Sequence, residues 1–274
     1  MTDQQSPFQH ALTLWLATHA GEPSGVSVVE LEGQPCVIKR RVHSLSYRLI
    51  YVLRFIRSWT LSWFCWLVFK ERPSARVLLK NELDDEAARL DVLHVAGCRV
   101  PAVLRHEPGV LVLEYIGHQD LPYLIRKDSS AGRLEWMRRV ANDLAVFHHA
   151  GFVHGGAQLR NLMLYQDEIY RIDFEENIGQ AMSRPLGQAY DVYQTLSSMA
   201  GLRGHEFDGA ERLRLCQRLL EAYLQSNPDP QVKAHLKSFG LAFGFVVKYF
   251  GCILKHLKWR DVQGFLHVAQ TLRL

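Results

Sequence analysis

A chain of 274 residues with 48% hydrophobic and 22% charged residues can build one large domain or two small ones around a sizeable core. Those proportions exclude a disordered chain, a collagen-like repeat and a mini-protein held together by disulfides. Thirty-two Lys and Arg against 28 Asp and Glu leave only +4, so charge gives no argument for nucleic acid, and none is expected as a partner. The five cysteines, Cys36, Cys65, Cys98, Cys216 and Cys252, are scattered and never form a CxxC pair. Reduced thiols in a cytosolic compartment fit that usage better than disulfides or zinc.

Residues 1–24 begin with the polar stretch MTDQQSPFQH, which lacks the pattern of a secretory signal, and are expected to form an N-terminal helix or leader. Residues 26–31 (VSVVEL) and 35–39 (PCVIK) read as two short strands around the turn Glu32-Gly33-Gln34. Residues 82–96 carry apolar positions at helical spacing and stop at Gly97. Residues 103–104 and 110–115 read as a second hairpin turned by Glu107-Pro108-Gly109. Helices follow over 131–150 and at several places beyond Gln188.

Between Glu32 and Glu71 there is no acidic residue, while Lys39, Arg40, Arg41, Arg48, Arg54, Arg57 and Lys70 are basic. Residues 44–69 within it hold Trp59, Trp63 and Trp66. Arg54 and Arg57 would sit near the centre of a span, at a cost of about 2.5–3.5 kcal/mol each. Residues 61–69 alone are too short to cross. Two readings stay open: a helical segment lying in a membrane interface, or a helical hairpin buried against the rest of the protein. Residues 239–260 repeat the apolar, basic, acid-free pattern, and read either as a second lipid-facing segment or as a last core helix.

Strands, a helix, strands and then helices is the order of a two-lobed kinase, and residues at four places support it. Cys36-Val37-Ile38-Lys39 resembles the V-A-I-K strand. His154-Gly155-Gly156-Ala157-Gln158-Leu159-Arg160-Asn161 resembles the catalytic loop H-x-D-x-x-x-x-N. Ile172-Asp173-Phe174-Glu175 stands where D-F-G sits. Ala189-Tyr190-Asp191 looks like the start of the central helix of the large lobe. Taken in order, these motifs resemble the small atypical kinases: the KEOPS kinase, RIO-type kinases and lipopolysaccharide-core sugar kinases of bacteria and archaea. The stretch Glu86-Ala87-x(11)-Arg99-Val100-Pro101 adds to the KEOPS likeness.

The resemblance implies an α+β, two-lobed fold. A strand-rich small lobe would span 25–116 with a hydrophobic helical insert at 44–70, and a helical lobe would span 117–274. It implies ATP and Mg²⁺ as cofactors. Lys39 would hold phosphates and Glu86 would orient it, with Glu82 as the fallback, and Glu114 and Ile116 complete the nucleotide-binding set. Asn161 and Asp173 would hold the metal. Two departures stand out. Only Gly21 and Gly25 flank the expected phosphate loop, and the catalytic-base Asp is replaced by Gly156. His154, Gln158 and Arg160 are the neighbouring stand-ins for the base.

The function expected is an ATP-dependent phosphotransferase at the cytoplasmic membrane face, acting on an envelope or lipid-linked substrate. A pseudokinase that binds nucleotide and regulates a protein partner is the alternative. A membrane-associated scaffold without a nucleotide site ranks lower, because Lys39, Asn161 and Asp173 are all retained.

Overall fold

The computed structural model describes residues 7–41, 45–79, 82–204, 207–256 and 260–273. The side chains of 45–50, 252–256 and 260–261 lie outside that description, so the expectations placed on Arg48, Cys252, Lys255, Lys258 and Arg260 do too.

In chain order the small lobe contains α1 (Pro7–Thr18), β1 (Gly25–Leu31), β2 (Gln34–Arg40), α2 (Leu45–Phe69), α3 (Ala75–Leu79), α4 (Leu83–Val95), β3 (Val103–Glu107) and β4 (Val110–Glu114). The four strands form one antiparallel sheet in the order β1-β2-β4-β3. Its hairpin turns follow the turn chemistry: Glu32 and Gly33 both take positive φ between β1 and β2, and Gly109 does so between β3 and β4. Alternation along β2 then sorts its side chains by face. Cys36 and Ile38 join Val112 and Leu12 of α1 on the outer face. Val37 packs with Leu90 and Leu93 of α4 on the inner face, where Lys39 also points.

The helical lobe contains α5 (Leu121–Lys127), α6 (Ser130–His149), β5 (Leu162–Tyr165), β6 (Glu168–Arg171), α7 (Ile178–Ala181), α8 (Arg184–Ala200), α9 (Gly209–Ser226), α10 (Pro230–His256) and α11 (Arg260–Thr271). The core of this lobe includes Leu144 of α6, Leu196 of α8, Tyr223 of α9 and Phe239 of α10. The fold is the small-sheet, helical-lobe arrangement that the kinase likeness implies. One motif shifts. Asp191 lies in the interior of α8, which starts seven residues earlier behind Ser183 with Pro185 in its first turn.

The insert follows the second strand and is one long helix with a short α3 behind it, where the buried reading expected a hairpin. Leu61, Phe64 and Phe69 pack onto the core of the helical lobe, and Ser58, Ser62 and Cys65 are buried beside them. Phe239 of α10 is the anchor, stacked on Phe64 at 6.2 Å and meeting Phe69 edge-on at 4.6 Å. The opposite face stays open, with Trp59, Trp63 and Trp66 at 51, 43 and 45% exposure. The helix is thus packed on one side, as the buried reading expects, and open on the other. Among the described residues no helix is long and apolar enough to cross a membrane.

Phe239 also stacks on Tyr193 of α8 at 5.4 Å, so one ring ties α2, α8 and α10 together. Phe239→Ala should cost about 3–5 kcal/mol of stability, the usual range for a buried Phe. Urea unfolding followed by tryptophan fluorescence will read this, with Trp59, Trp63 and Trp66 reporting on α2.

Candidate functional site: a cleft under the small sheet

The sheet, the segment after β4 and the β5–β6 hairpin enclose a cleft of about 410 Å³. Val26 and Val28 of β1 lie on one side, and Met163 and Ile172 of the hairpin lie on its helical-lobe side. Both valines are largely exposed, which leaves apolar surface facing an open cleft. Lys39, Glu114, Ile116, Asn161, Asp173 and Glu175 line the same space. Six of the nine sequence-predicted site residues thus concern this region directly, because Glu86 sits immediately behind Lys39.

Lys39 is almost buried and its Nζ stands 2.7 Å from Glu86 Oε1, 3.5 Å from Asp173 Oδ1 and 3.7 Å from Glu175 Oε1. Burial alone would push the lysine pKa down, but the carboxylates outweigh it and hold it above its ordinary value. Burial likewise raises Glu86, against the pull of Lys39. Glu175 Oε2 is also 3.1 Å from Arg41. Around Lys39 and Arg41 there are thus three carboxylates to two cations. A polyanion would be held more tightly in such a site with a metal cation beside Asp173 and Glu175.

Asn161 ends the single 3₁₀ turn before β5. Its Nδ2 donates to the Gly156 carbonyl at 2.8 Å, which leaves the side-chain oxygen as the atom able to meet a cation. Asp173 lies in the segment 172–177, which has no regular backbone structure, and adopts a left-handed φ of 67°. Asp tolerates that conformation better than most residues, yet it persists only where the surroundings impose it. Here they do. Ile172 N–H donates to Asn161 O at 3.0 Å, and Phe174 N–H donates to Glu86 Oε1 at 3.2 Å. Arg89, one turn after Glu86 on α4, donates to the carbonyls of Phe174 and Glu176 at 2.7 and 2.6 Å and also to Asn177 Oδ1.

The loop that carries Gly156 is braced from below. Asp191 Oδ2 accepts from His154 N–H at 2.7 Å and Oδ1 accepts from Gly155 N–H at 2.8 Å. His148 meets Asp191 Oδ2 at 3.2 Å and the Tyr223 hydroxyl at 2.7 Å. Through this buried chain Asp191 fixes the backbone of the loop. None of the three stand-ins for a base lines the cleft. His154 is buried, stacked on Phe174 at 4.3 Å, with Nδ1 accepting from Gly156 N–H. Arg160 is exposed and Gln158 is half-buried. At Gly156 an added Cβ would meet nothing nearer than Asn161 Nδ2 at 3.5 Å, so the missing side chain is absent by sequence and not for lack of room.

Sequence reasoning missed Glu175, Arg41 and Arg89. The first carried a signal, since a carboxylate replaces the glycine of D-F-G. Arg89 carried a weaker one, at three residues from Glu86 on the same helix face.

Burial pushes the His154 imidazole down to about 3. An unfolded histidine titrates near 6.5, so this group contributes stability that is complete above that pH and is lost as pH falls. The slope is about 1.4 kcal/mol per pH unit between roughly pH 6 and 4. His154→Asn should flatten the stability-versus-pH curve by that amount, as measured by urea unfolding at several pH values.

The RIO domain family matches residues 67–189. A probable serine/threonine-protein kinase BUD32 homolog of Archaeoglobus fulgidus is 29% identical over 147 residues, covering 54% of this chain and 68% of that protein. The KEOPS complex subunit Bud32 of Pyrococcus abyssi is 34% identical over 80 residues, 28% of this chain and 36% of the other. A probable bifunctional tRNA threonylcarbamoyladenosine biosynthesis protein of Natronomonas pharaonis is 33% identical over 103 residues, 37% of this chain and 17% of that one. The matches to the last two therefore span well under two thirds of those proteins. Over these stretches the chain is similar to RIO-domain and Bud32 kinases.

Proposed function

We propose that this protein is an ATP-dependent phosphotransferase of the atypical kinase type that works at the cytoplasmic face of a membrane on a lipid-linked or envelope substrate. The observation that carries the phosphotransferase reading is the convergence of Lys39, Asn161, Asp173 and Glu175 on one cleft with apolar walls. In this reading the apolar walls hold the base of ATP, with Glu114 and Ile116 at its edge. Lys39, oriented by Glu86, neutralises phosphate charge. Asn161 and Asp173 would hold Mg²⁺, which would offset the charge of the phosphates. His154 is a packing residue, and Gln158 and Arg160 stand outside the reaction.

The membrane reading rests on a surface. α2 and α10 pack together through Phe64 and Phe239, and neither helix contains an acidic residue. Phe245, Tyr249 and Phe250 of α10 are exposed, as are the three tryptophans of α2. Lys70 lies over the Trp66 ring at 5.8 Å and Arg72 over Trp63 at 5.4 Å. Exposed aromatics on two acid-free helices, with Lys70 and Arg72 against them and the intervening Glu71 paired to Ser183, complement the surface of an anionic bilayer.

A second reading is favoured by Gly156, which can neither accept a proton nor orient a hydroxyl. A positioned base is typically worth about 10²–10⁴-fold, so its loss leaves either slow transfer or a nucleotide-binding pseudokinase. In that case the protein would serve a protein partner, as the name of the Pyrococcus relative, a complex subunit, suggests. A role in tRNA modification, which the Natronomonas name suggests, is the further alternative.

Saturating ATP with Mg²⁺ should raise the thermal stability of the wild type, by about 2.7 kcal/mol at a hundredfold excess over Kd. Lys39→Ala should lose that gain relative to its own apo melting point, itself lowered because Glu86 stays buried without its partner, and an undiminished gain would remove Lys39 from the site. Wild type should sediment with anionic vesicles more than with neutral ones, and less in high salt. The triple change Trp59→Ser, Trp63→Ser and Trp66→Ser should abolish sedimentation. Retention on RNA with no sedimentation on either vesicle would favour the tRNA alternative.

A further inference from the structure

The segment from Ile172 to Asn177 is fastened by the small lobe from two directions, α4 and α2. From α4 come Glu86 and Arg89, already described. From α2 comes Arg57, whose Nη1 stands 2.8 Å from Glu176 Oε1. Arg57 also hydrogen-bonds the Tyr190 side chain, which is buried in α8 beside Asp191. One guanidinium therefore joins the insert, the metal-side loop and the central helix of the helical lobe. The fit is close, since the crevice between α2 and the loop holds only about 20 Å³ and is lined by Arg54, Arg57, Ser58, Glu175 and Glu176. That is about the room of a single water.

We infer that Arg57 is a positioning residue, through which α2 holds Glu176 and so sets the place of Asp173 and Glu175 in the cleft. The inference rests on the nucleotide reading above. An exposed ion pair contributes at most about 1 kcal/mol to global stability. Its effect here is local, because 172–177 lies between β6 and α7 without regular backbone partners, and Asp173 sits three residues from the anchored Glu176. The helix that carries Arg57 also carries the open tryptophan face.

The test is calorimetric titration of ATP, with and without Mg²⁺, into the full chain. Its variants are Arg57→Gln, Glu176→Gln and the charge-exchanged pair Arg57→Glu with Glu176→Arg. Each single change should cut the Mg²⁺-dependent gain in ATP affinity about tenfold, within the range of coupling between directly interacting residues. Affinity for metal-free ATP should stay within about twofold, because Asp173 and Glu175 matter chiefly to the cation. The exchanged pair should recover most of the gain, which a purely structural role would not produce. If Arg57→Gln and Glu176→Gln both keep the full gain, Arg57 has no positioning role. If both lose metal-free and Mg²⁺-bound affinity alike with a lower melting point, Arg57 is structural. If the wild type itself shows no Mg²⁺-dependent affinity, the nucleotide reading falls and this inference falls with it.

Discussion

Six residues without helix or strand, 172–177, are the constraint around which this molecule is arranged. A buried backbone must find hydrogen-bond partners, and this one finds them in two side chains and one backbone carbonyl from elsewhere in the chain. Glu86 takes the Phe174 N–H, Arg89 supplies the carbonyls of Phe174 and Glu176, and Asn161 O accepts from Ile172. Phe174 itself is fully buried between His154 and the α4 side of the sheet. The two lobes are therefore joined by the very segment that carries Asp173. Strain in its left-handed backbone is held in place by these contacts.

The electrostatics follow from the same joint. Lys39 is nearly buried, and isolated it would be costly to keep charged. Glu86, Asp173 and Glu175 surround it and more than offset that cost. The carboxylate excess that results suits a metal-bound polyanion better than a bare one. On the other side of the site Asp191 holds the N–H groups of His154 and Gly155 through a wholly buried chain of polar contacts. The frame around position 156 is thus complete, and its only gap is the side chain that glycine lacks.

Much of this was legible because local chemistry agreed with the global arrangement. Alternation in 26–31 and 35–39 around Glu32-Gly33, the stop at Gly97 and the turn at Gly109 gave the sheet and α4. The order of Lys39, Glu86, Asn161 and Asp173 gave the cleft. The insert was harder to read. Its helix is apolar nearly all round, so hydropathy cannot say which face packs. The packed face is marked by the small residues Ser58, Ser62 and Cys65, which become informative only once Phe239 is known to lie opposite. Placement of Asp191 inside α8 was available from Ser183-Arg184-Pro185, but the motif drew attention to itself instead of to the helix start. The clasp by Arg57 and Arg89 spans roughly 85–120 residues of chain and leaves no periodic trace. Pairings of that kind are set by tertiary packing alone.

The central claim is that the cleft is a nucleotide site whose catalytic loop lacks only the carboxylate at position 156. An added Cβ there meets only ordinary contacts, the nearest at 3.5 Å, so the backbone leaves room for a side chain to begin. The most direct measurement is phosphate release from ATP in the presence of Mg²⁺ by the wild type and by Gly156→Asp. The account predicts that the variant is faster, by about 10²-fold or more, as expected for supplying a positioned base. A folded Gly156→Asp protein that releases phosphate no faster than the wild type would contradict it.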